Sequence, residues 1–316
     1  MIMDFAKEKI VYVVNGKAAL TAEILQKQGF RVEVGEGVIK DEILKDTWAL
    51  LPGRAKVPDE VLEKAPHLKL VCKQGVGVER IDVEACTKRG ICVANTPNSN
   101  FISVAEHTIL LMLAAAKWLY PLSRDLRWTK CSEQNYFATE LMGKTLSVIG
   151  LGRIGMRVAE LGHAFGMNVV AYVRNPKGRQ IPEYISLAET MDEAIEKADV
   201  LSLHVAGTEE NCNLIGKREL ELMKKSSILI NTTRGFVVDE EALYEALKSR
   251  QIAGAGLDVF ADESMDPSNP LLELDNLVAT PHTAANTKES RRRAFEECAE
   301  IVMEFAQGKR PASALN

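Results

Sequence analysis

Short apolar runs rich in valine and isoleucine alternate along this chain with stretches of helical spacing, and this rhythm restricts the fold more than any other feature. Residues 9–14 (KIVYVV), 68–73 (LKLVCK) and 91–94 read as strands in the first part of the chain. Residues 145–149, 168–173, 200–204, 228–231, 253–258 and 277–280 continue the series. Each is strand-length and apolar almost throughout, as expected where both faces of a sheet are covered. Helical patterns such as residues 19–28 fill the gaps. Repeated strand–helix–strand units build parallel sheets with helices on both faces. At 316 residues the chain is too long for one ordinary core, so two doubly wound α/β domains are expected. A long helical stretch, residues 103–119, lies between the two series and is the candidate bridge. The turn chemistry of residues 95–98 (NTPN) marks a hinge, and residues 285–288 mark a second. A last helical pattern, residues 288–307, follows the final strand.

Bulk charge excludes some function classes. The net charge is −5, with 46% apolar and 26% charged residues, so no basic field points to nucleic acid or an anionic membrane. The six cysteines form no CxxC pair and have no zinc spacing with histidine, so no metal is expected and reduced thiols are. Asp4 and Glu8 interrupt any signal-peptide pattern, and no run approaches the ~18 apolar residues of a membrane span. These features together point to the cytoplasm.

Gly150-Leu-Gly152-Arg-Ile-Gly155 follows the strand TLSVI at once and opens a helical pattern. In that context a GxGxxG sequence reads as a dinucleotide-binding turn. The first glycine permits the tight turn, the second lets backbone approach a diphosphate, and the third lets helix and strand pack closely. The helix N-terminus then offers N–H groups and a positive dipole end to phosphate. The alternative is a strand–turn–helix with incidental glycines. About 20 residues further on, an acid is expected for the adenosine ribose of NAD. Val173 stands there instead, followed by Arg174, Lys177 and Arg179. A guanidinium suits a 2′-phosphate, so the loop favours NADP over NAD, with Arg174 as the leading ligand. The bland alternative is a solvated basic loop in an NAD site.

Three polar groups follow predicted strands in the second series. ILINT runs into Thr233-Arg234, AGAGLD runs toward Glu263, and LVAT runs into Pro281-His282. Ligands of parallel α/β sheets bind beyond the carboxyl ends of strands, so Arg234, Glu263 and His282 are expected to converge.

At these residues the chain resembles the D-isomer-specific 2-hydroxyacid dehydrogenase family. The matching segments are VAEHTI (104–109), GKTLSVIGLGRIG (143–155), INTTRGFVVDEEAL (230–243), GAGLDVF (254–260) and ATPHTAANT (279–287), with KQGVGVERID (73–82) resembling the substrate-side glycine loop. The resemblance implies two Rossmann- or flavodoxin-like domains, with the cofactor domain inserted in the substrate domain. Residues 1–98 and 287–316 would form the substrate domain and residues 99–286 the dinucleotide domain. It makes Arg234 the clamp for a 2-oxo acid, His282 the proton donor, and Glu263 the group that favours the charged imidazole. The N–H groups of Gly75, Val76 and Gly77 would hold the substrate carboxylate. Arg153 and Ile154 would face the diphosphate, Thr232 and Thr233 the nicotinamide side, and Asp258 the nicotinamide carboxamide. A homodimer seam is implied along the 103–119 helix and Trp128. The expected reaction is hydride transfer between NAD(P)H and a small 2-oxo acid such as glyoxylate or hydroxypyruvate. Lys73 and Arg54 keep 3-phosphoglycerate open as the alternative substrate. Formate- or phosphite-type dehydrogenases are runner-up reactions, and a dinucleotide-sensing corepressor is the alternative from another class. The chain departs from the family pattern at Val173, at Ala206 in place of proline, and at Glu79-Arg80.

Overall fold

The computed structural model describes residues 8–128, 137–262 and 266–316. The chain divides into two compact units, Met1–Asn100 with Thr287–Asn316, and Phe101–Asn286, so the second is inserted in the first.

The first unit is a five-stranded parallel sheet. Its strands are β1 (Ile10–Val13), β2 (Arg31–Val34), β3 (Thr47–Leu51), β4 (Leu70–Lys73) and β5 (Cys92–Asn95), in the order β2-β1-β3-β4-β5. That is the flavodoxin-like order. Successive residues of one strand feed opposite cores. Val11 and Val13 pack with Leu25, Leu51 and Cys298 on one face, while Tyr12 and Val14 pack with Leu44, Leu50 and Val71 on the other. Burial on both faces accounts for the unbroken apolar run in β1, and each such aliphatic side chain contributes roughly 1.5–3 kcal/mol. The helix Lys288–Ala306 returns to this sheet. Thr287 caps its N-terminus by accepting from the Ser290 N–H (3.0 Å). Its Cys298 lies against Cys72 of β4, with the sulfurs 3.4 Å apart and both free thiols. Beyond it, Asn316 Oδ1 accepts from the Val93 N–H (2.8 Å), covering the edge of β5.

The second unit carries seven parallel strands: β6 (Thr145–Ile149), β7 (Asn168–Tyr172), β8 (Ile185–Leu187), β9 (Val200–Leu203), β10 (Ile228–Asn231), β11 (Gly254–Leu257) and β12 (Leu277–Ala279). Their order is β12-β11-β10-β9-β6-β7-β8, the Rossmann order with one strand added. The order reverses between β6 and β9, which makes the crevice at their carboxyl ends the topological switch point. The helix Phe101–Ala116 packs Leu111 and Met112 into one face with Leu146 and Val158. The other face is closed by Ile195, Leu220, Leu243 and Leu247. Two doubly wound parallel sheets are thus what the strand–helix rhythm implied.

The segment expected to act as a hinge, residues 95–98, lies just before the passage between the two units. There Thr96 is fully buried, Ser99 Oγ donates to Thr96 O (2.8 Å), and Arg293 Nε donates to Ser99 O (2.9 Å). The chain passes to the second unit after Asn100. Among the described residues, no helix is long and apolar enough to cross a membrane.

Candidate active site

The glycine turn sits between β6 and the helix Arg153–Ala164. Gly150 has φ +97°, and a Cβ on Gly155 would lie 2.0 Å from Gly150 O, so neither position accepts a side chain without backbone movement. A Cβ on Gly152, the N-cap residue, would meet no protein atom within 4 Å. The turn therefore closes tightly on its protein side and is open at the helix N-terminus, where Arg153 is exposed and Ile154 half-buried. This shape and the dipole end fit a dinucleotide diphosphate. Beneath it, the His204 imidazole accepts or donates at Nε2 with Ser202 Oγ (2.8 Å), and burial pushes its pKa down to about 3, so the ring is neutral.

Beyond β7 the basic loop is already engaged. Arg174 Nη1 donates to Glu210 Oε2 (2.8 Å) and Nη2 to Asn211 Oδ1 (3.1 Å), both from the segment after β9. Arg179 Nη1 donates to Leu151 O (2.9 Å), the carbonyl between the first two glycines of the turn. Glu210 was not singled out from the sequence. Only the strand order, which puts β7 and β9 on either side of β6, brings it near Arg174.

At the ends of β10, β11 and β12 one buried residue organises the rest. Asn231 Oδ1 accepts from both N–H and Oγ1 of Thr233 (2.9 and 2.7 Å), and Asn231 Nδ2 donates to Arg234 O (2.9 Å). This shapes the Thr232-Thr233-Arg234 turn, with Thr232 buried and its hydroxyl 3.1 Å from Thr108 Oγ1. Gly235 is required here, since a Cβ would fall 1.9 Å from the Phe260 carbonyl carbon. Arg234 Nη1 donates to Thr233 O (2.7 Å) and its stem runs along Gly207.

Asp258 ties this turn to His282. Its N–H donates to Asn231 O (3.0 Å), and its carbonyl accepts from the His282 N–H (2.7 Å). Its carboxylate, 1% exposed, accepts from Thr280 Oγ1 (2.6 Å) and the Thr283 N–H (2.8 Å) at Oδ1, and from the Ala284 N–H (2.8 Å) at Oδ2. The carboxylate thus anchors the loop around His282, and Oδ2, which takes the Ala284 N–H at 2.8 Å, keeps acceptor capacity of the kind the nicotinamide carboxamide expected at Asp258 would need. His282 itself is exposed and takes φ +48°. Glu263 lies outside the described residues.

In the first unit, Gly75 has φ +104° and its N–H donates to Thr96 Oγ1 (2.7 Å). That bond corrects part of the substrate-loop reading, which narrows to the N–H groups of Val76 and Gly77. Asn95 Nδ2 braces the same loop at Val76 O (2.7 Å). Lys73 Nζ donates to Gly53 O (2.7 Å) and Gln74 O (3.2 Å). Burial lowers its pKa below the ordinary lysine value, and the charges of Arg54 and Arg80 lower it further.

Residues 109–284 match the family model for the NAD binding domain of the D-isomer specific 2-hydroxyacid dehydrogenases. The chain belongs to that family. It is 40% identical over 301 residues to the D-3-phosphoglycerate dehydrogenase of Archaeoglobus fulgidus, covering 93% of this chain and 56% of that protein. The chain thus spans little more than half the length of that relative. It is also 40% identical over 268 residues to the glyoxylate reductase of Aeropyrum pernix, covering 83% of this chain and 80% of that protein. Among solved structures, the D-lactate dehydrogenase from Aquifex aeolicus, complexed with NAD and lactic acid, superposes with a TM-score of 0.82. It is 33% identical and covers 95% of this chain and 96% of that one.

Proposed function

We propose that this chain reduces a small 2-oxo acid to the D-2-hydroxy acid with NAD(P)H, and that glyoxylate or hydroxypyruvate is its substrate. The observation that carries this reading is the pairing of Arg234 and His282 through one residue, Asp258, whose backbone bonds to both their segments at the carboxyl ends of neighbouring strands. Arg234 would hold the substrate carboxylate and carbonyl with its forked donors. The N–H groups of Val76 and Gly77 would also bind the substrate carboxylate. His282 would donate the proton that the carbonyl oxygen gains on reduction, and accept it back on oxidation. By the family pattern Glu263 would complete the set with His282. The dinucleotide, when bound, supplies or accepts the hydride. Gly150, Gly152, Arg153, Ile154 and Gly155 would hold its diphosphate, and Thr232 and Thr233 would line its nicotinamide end. Arg174 would read a 2′-phosphate, so NADP is the favoured form.

A second reading is supported by one feature of the first unit. Lys73, with Arg54 and Arg80 near it, offers cations beside the substrate glycine loop, which suits a substrate with a second anionic group such as 3-phosphoglycerate. The same overall reading makes the protein a cytoplasmic homodimer. The free thiols of Cys72 and Cys298, held in contact, suit a reducing compartment. Exposed Leu110, Leu119, Tyr120 and Leu126 suit a seam between two copies.

Initial rates of absorbance change at 340 nm decide among these. Oxidation of NADPH by glyoxylate or hydroxypyruvate is the expected result. Turnover confined to 3-phosphoglycerate with an oxidised cofactor would select the second reading. No turnover with any 2-oxo or 2-hydroxy acid would overturn both.

A further inference from the structure

His107 lies on the helix Phe101–Ala116 and has no part in the reaction as proposed, yet its side chain is only 15% exposed and reaches the loop that carries His282. Its Nε2 is 2.8 Å from Thr280 Oγ1 and 3.5 Å from Asp258 Oδ1. The Thr280 hydroxyl has one proton, and the 2.6 Å contact with the Asp258 carboxylate takes it. Thr280 must therefore accept from His107, which places a proton on Nε2. The relay runs His107 to Thr280 to Asp258. From Asp258 it fans out to the N–H groups of Thr283 and Ala284, the two residues that follow His282. His282 has φ +48°, a backbone conformation that a residue with a side chain keeps only where its surroundings hold it.

We propose that His107 is a positioning residue for His282. By donating to Thr280 it keeps that hydroxyl turned toward Asp258. It thereby keeps the buried carboxylate satisfied and the 280–284 loop in the conformation that presents the His282 imidazole. Without the donor, the hydroxyl is free to turn away. The carboxylate then loses a hydrogen-bond donor in a buried place, and the left-handed residue loses part of what holds it. The inference rests on the reading of His282 as the proton donor.

The test compares His107→Leu, His107→Gln and Thr280→Val in the full chain. Gln carries an N–H donor at nearly the reach of Nε2, whereas Leu keeps bulk and removes the donor. Loss of one hydrogen bond to a charged network predicts about a tenfold fall in kcat for His107→Leu, with substrate KM and the NAD(P)H dissociation constant within about twofold. His107→Gln should recover turnover to within about twofold of the native enzyme on the same grounds. Adding His107→Leu to Thr280→Val should cost little more than either change alone. Hydrogen exchange read by mass spectrometry should speed up at the amides of Thr283 and Ala284 in His107→Leu and not in His107→Gln. Native-like exchange and kcat in His107→Leu would overturn the proposal. So would a His107→Gln variant as impaired as His107→Leu, or losses that add in the double variant. If the native chain turned over no 2-oxo acid, the functional reading would fall, and the exchange comparison would still decide whether His107 holds the loop.

Discussion

The contact between Arg174 and Glu210 makes coenzyme choice a measurable electrostatic quantity. A 2′-phosphate that uses Arg174 must compete with a carboxylate 2.8 Å from Nη1, on side chains that are 65% and 74% exposed. An exposed pair of this kind is worth about 0.2–1 kcal/mol, which is what phosphate must displace. The phosphate also brings roughly two negative charges near Glu210. At about 6 Å in water each unit pair costs about 0.7 kcal/mol, and physiological salt roughly halves that. Glu210→Gln removes both penalties while keeping the shape. The sum, about 1–1.5 kcal/mol, corresponds to NADPH binding some five- to tenfold tighter. NADH lacks the phosphate, so its dissociation constant should change by less than about twofold, the sum of small surface effects. Titration of reduced-cofactor fluorescence at low and moderate salt measures both constants, and the NADPH gain should shrink as salt rises. In an Arg174→Ala background the gain should fall to the repulsion part alone. Equal changes for NADH and NADPH, or weaker NADPH binding by Glu210→Gln, would refute the idea that Arg174 reads the phosphate.

Other consequences follow from the geometry. His282→Gln should lower kcat at least a hundredfold, within the range of a lost general acid, while the NAD(P)H dissociation constant stays put; unchanged turnover would remove His282 from the reaction. Gly152→Ala and Gly155→Ala should separate binding from folding. The first adds a Cβ to open space and should leave the melting temperature unchanged while weakening dinucleotide binding. The second drives a Cβ into Gly150 O and should cost about 1–3 kcal/mol of stability as well, and thermal melts alongside cofactor titration would expose an equal effect of the two. His204 supplies a pH signature. Its folded pKa of about 3 lies below the unfolded value of 6.5, so the stability it contributes is complete above pH 6.5 and declines as pH falls toward 3. Chemical denaturation across that window should lose up to about 1.4 kcal/mol per pH unit through this group. A folded His204→Asn variant should show a flatter profile, and an unchanged slope would contradict the buried neutral ring.

The sequence was most legible where one physical demand dominates. Burial on both sheet faces wrote the apolar runs of β1, β4, β6, β9 and β10, and the crowding at Gly155 wrote the glycine turn. The strands that pattern reading passed over have mixed demands. β2 (RVEV) is an edge strand with polar side chains and little burial, and β8 is a three-residue edge strand with Ser186 and Leu187 exposed. β3 begins on the polar Thr47, whose hydroxyl donates to Ile43 O (2.7 Å), so its start resembles a turn. Within the candidate site, Arg234 and His282 could be singled out from the sequence because their chemistry is specific. Asn231, His107, Thr280 and Glu210 could not, because they act on backbone or on another side chain across the sheet. A polar residue that serves a neighbour has no spacing rule of its own. Its partner is set by strand order, which a single sequence shows only after the fold is known.

The charge of the site also differs from that of the chain. A net charge of −5 would by itself repel an anionic acid and an anionic dinucleotide. That average acts weakly, because at physiological salt a charge is screened beyond about 8 Å. What an incoming anion meets in the second unit is local: Arg153 at a helix N-terminus, Arg179 over the glycine turn, Arg174 beside it, and Arg234 with His282 at the ends of β10 and β12. The nearest buried carboxylate, Asp258, is covered by its own donors and so presents little negative field outward. Glu210 is an exposed carboxylate in direct contact with Arg174, which is why its removal, and not that of a distant acid, should change how the chain tells one dinucleotide from the other.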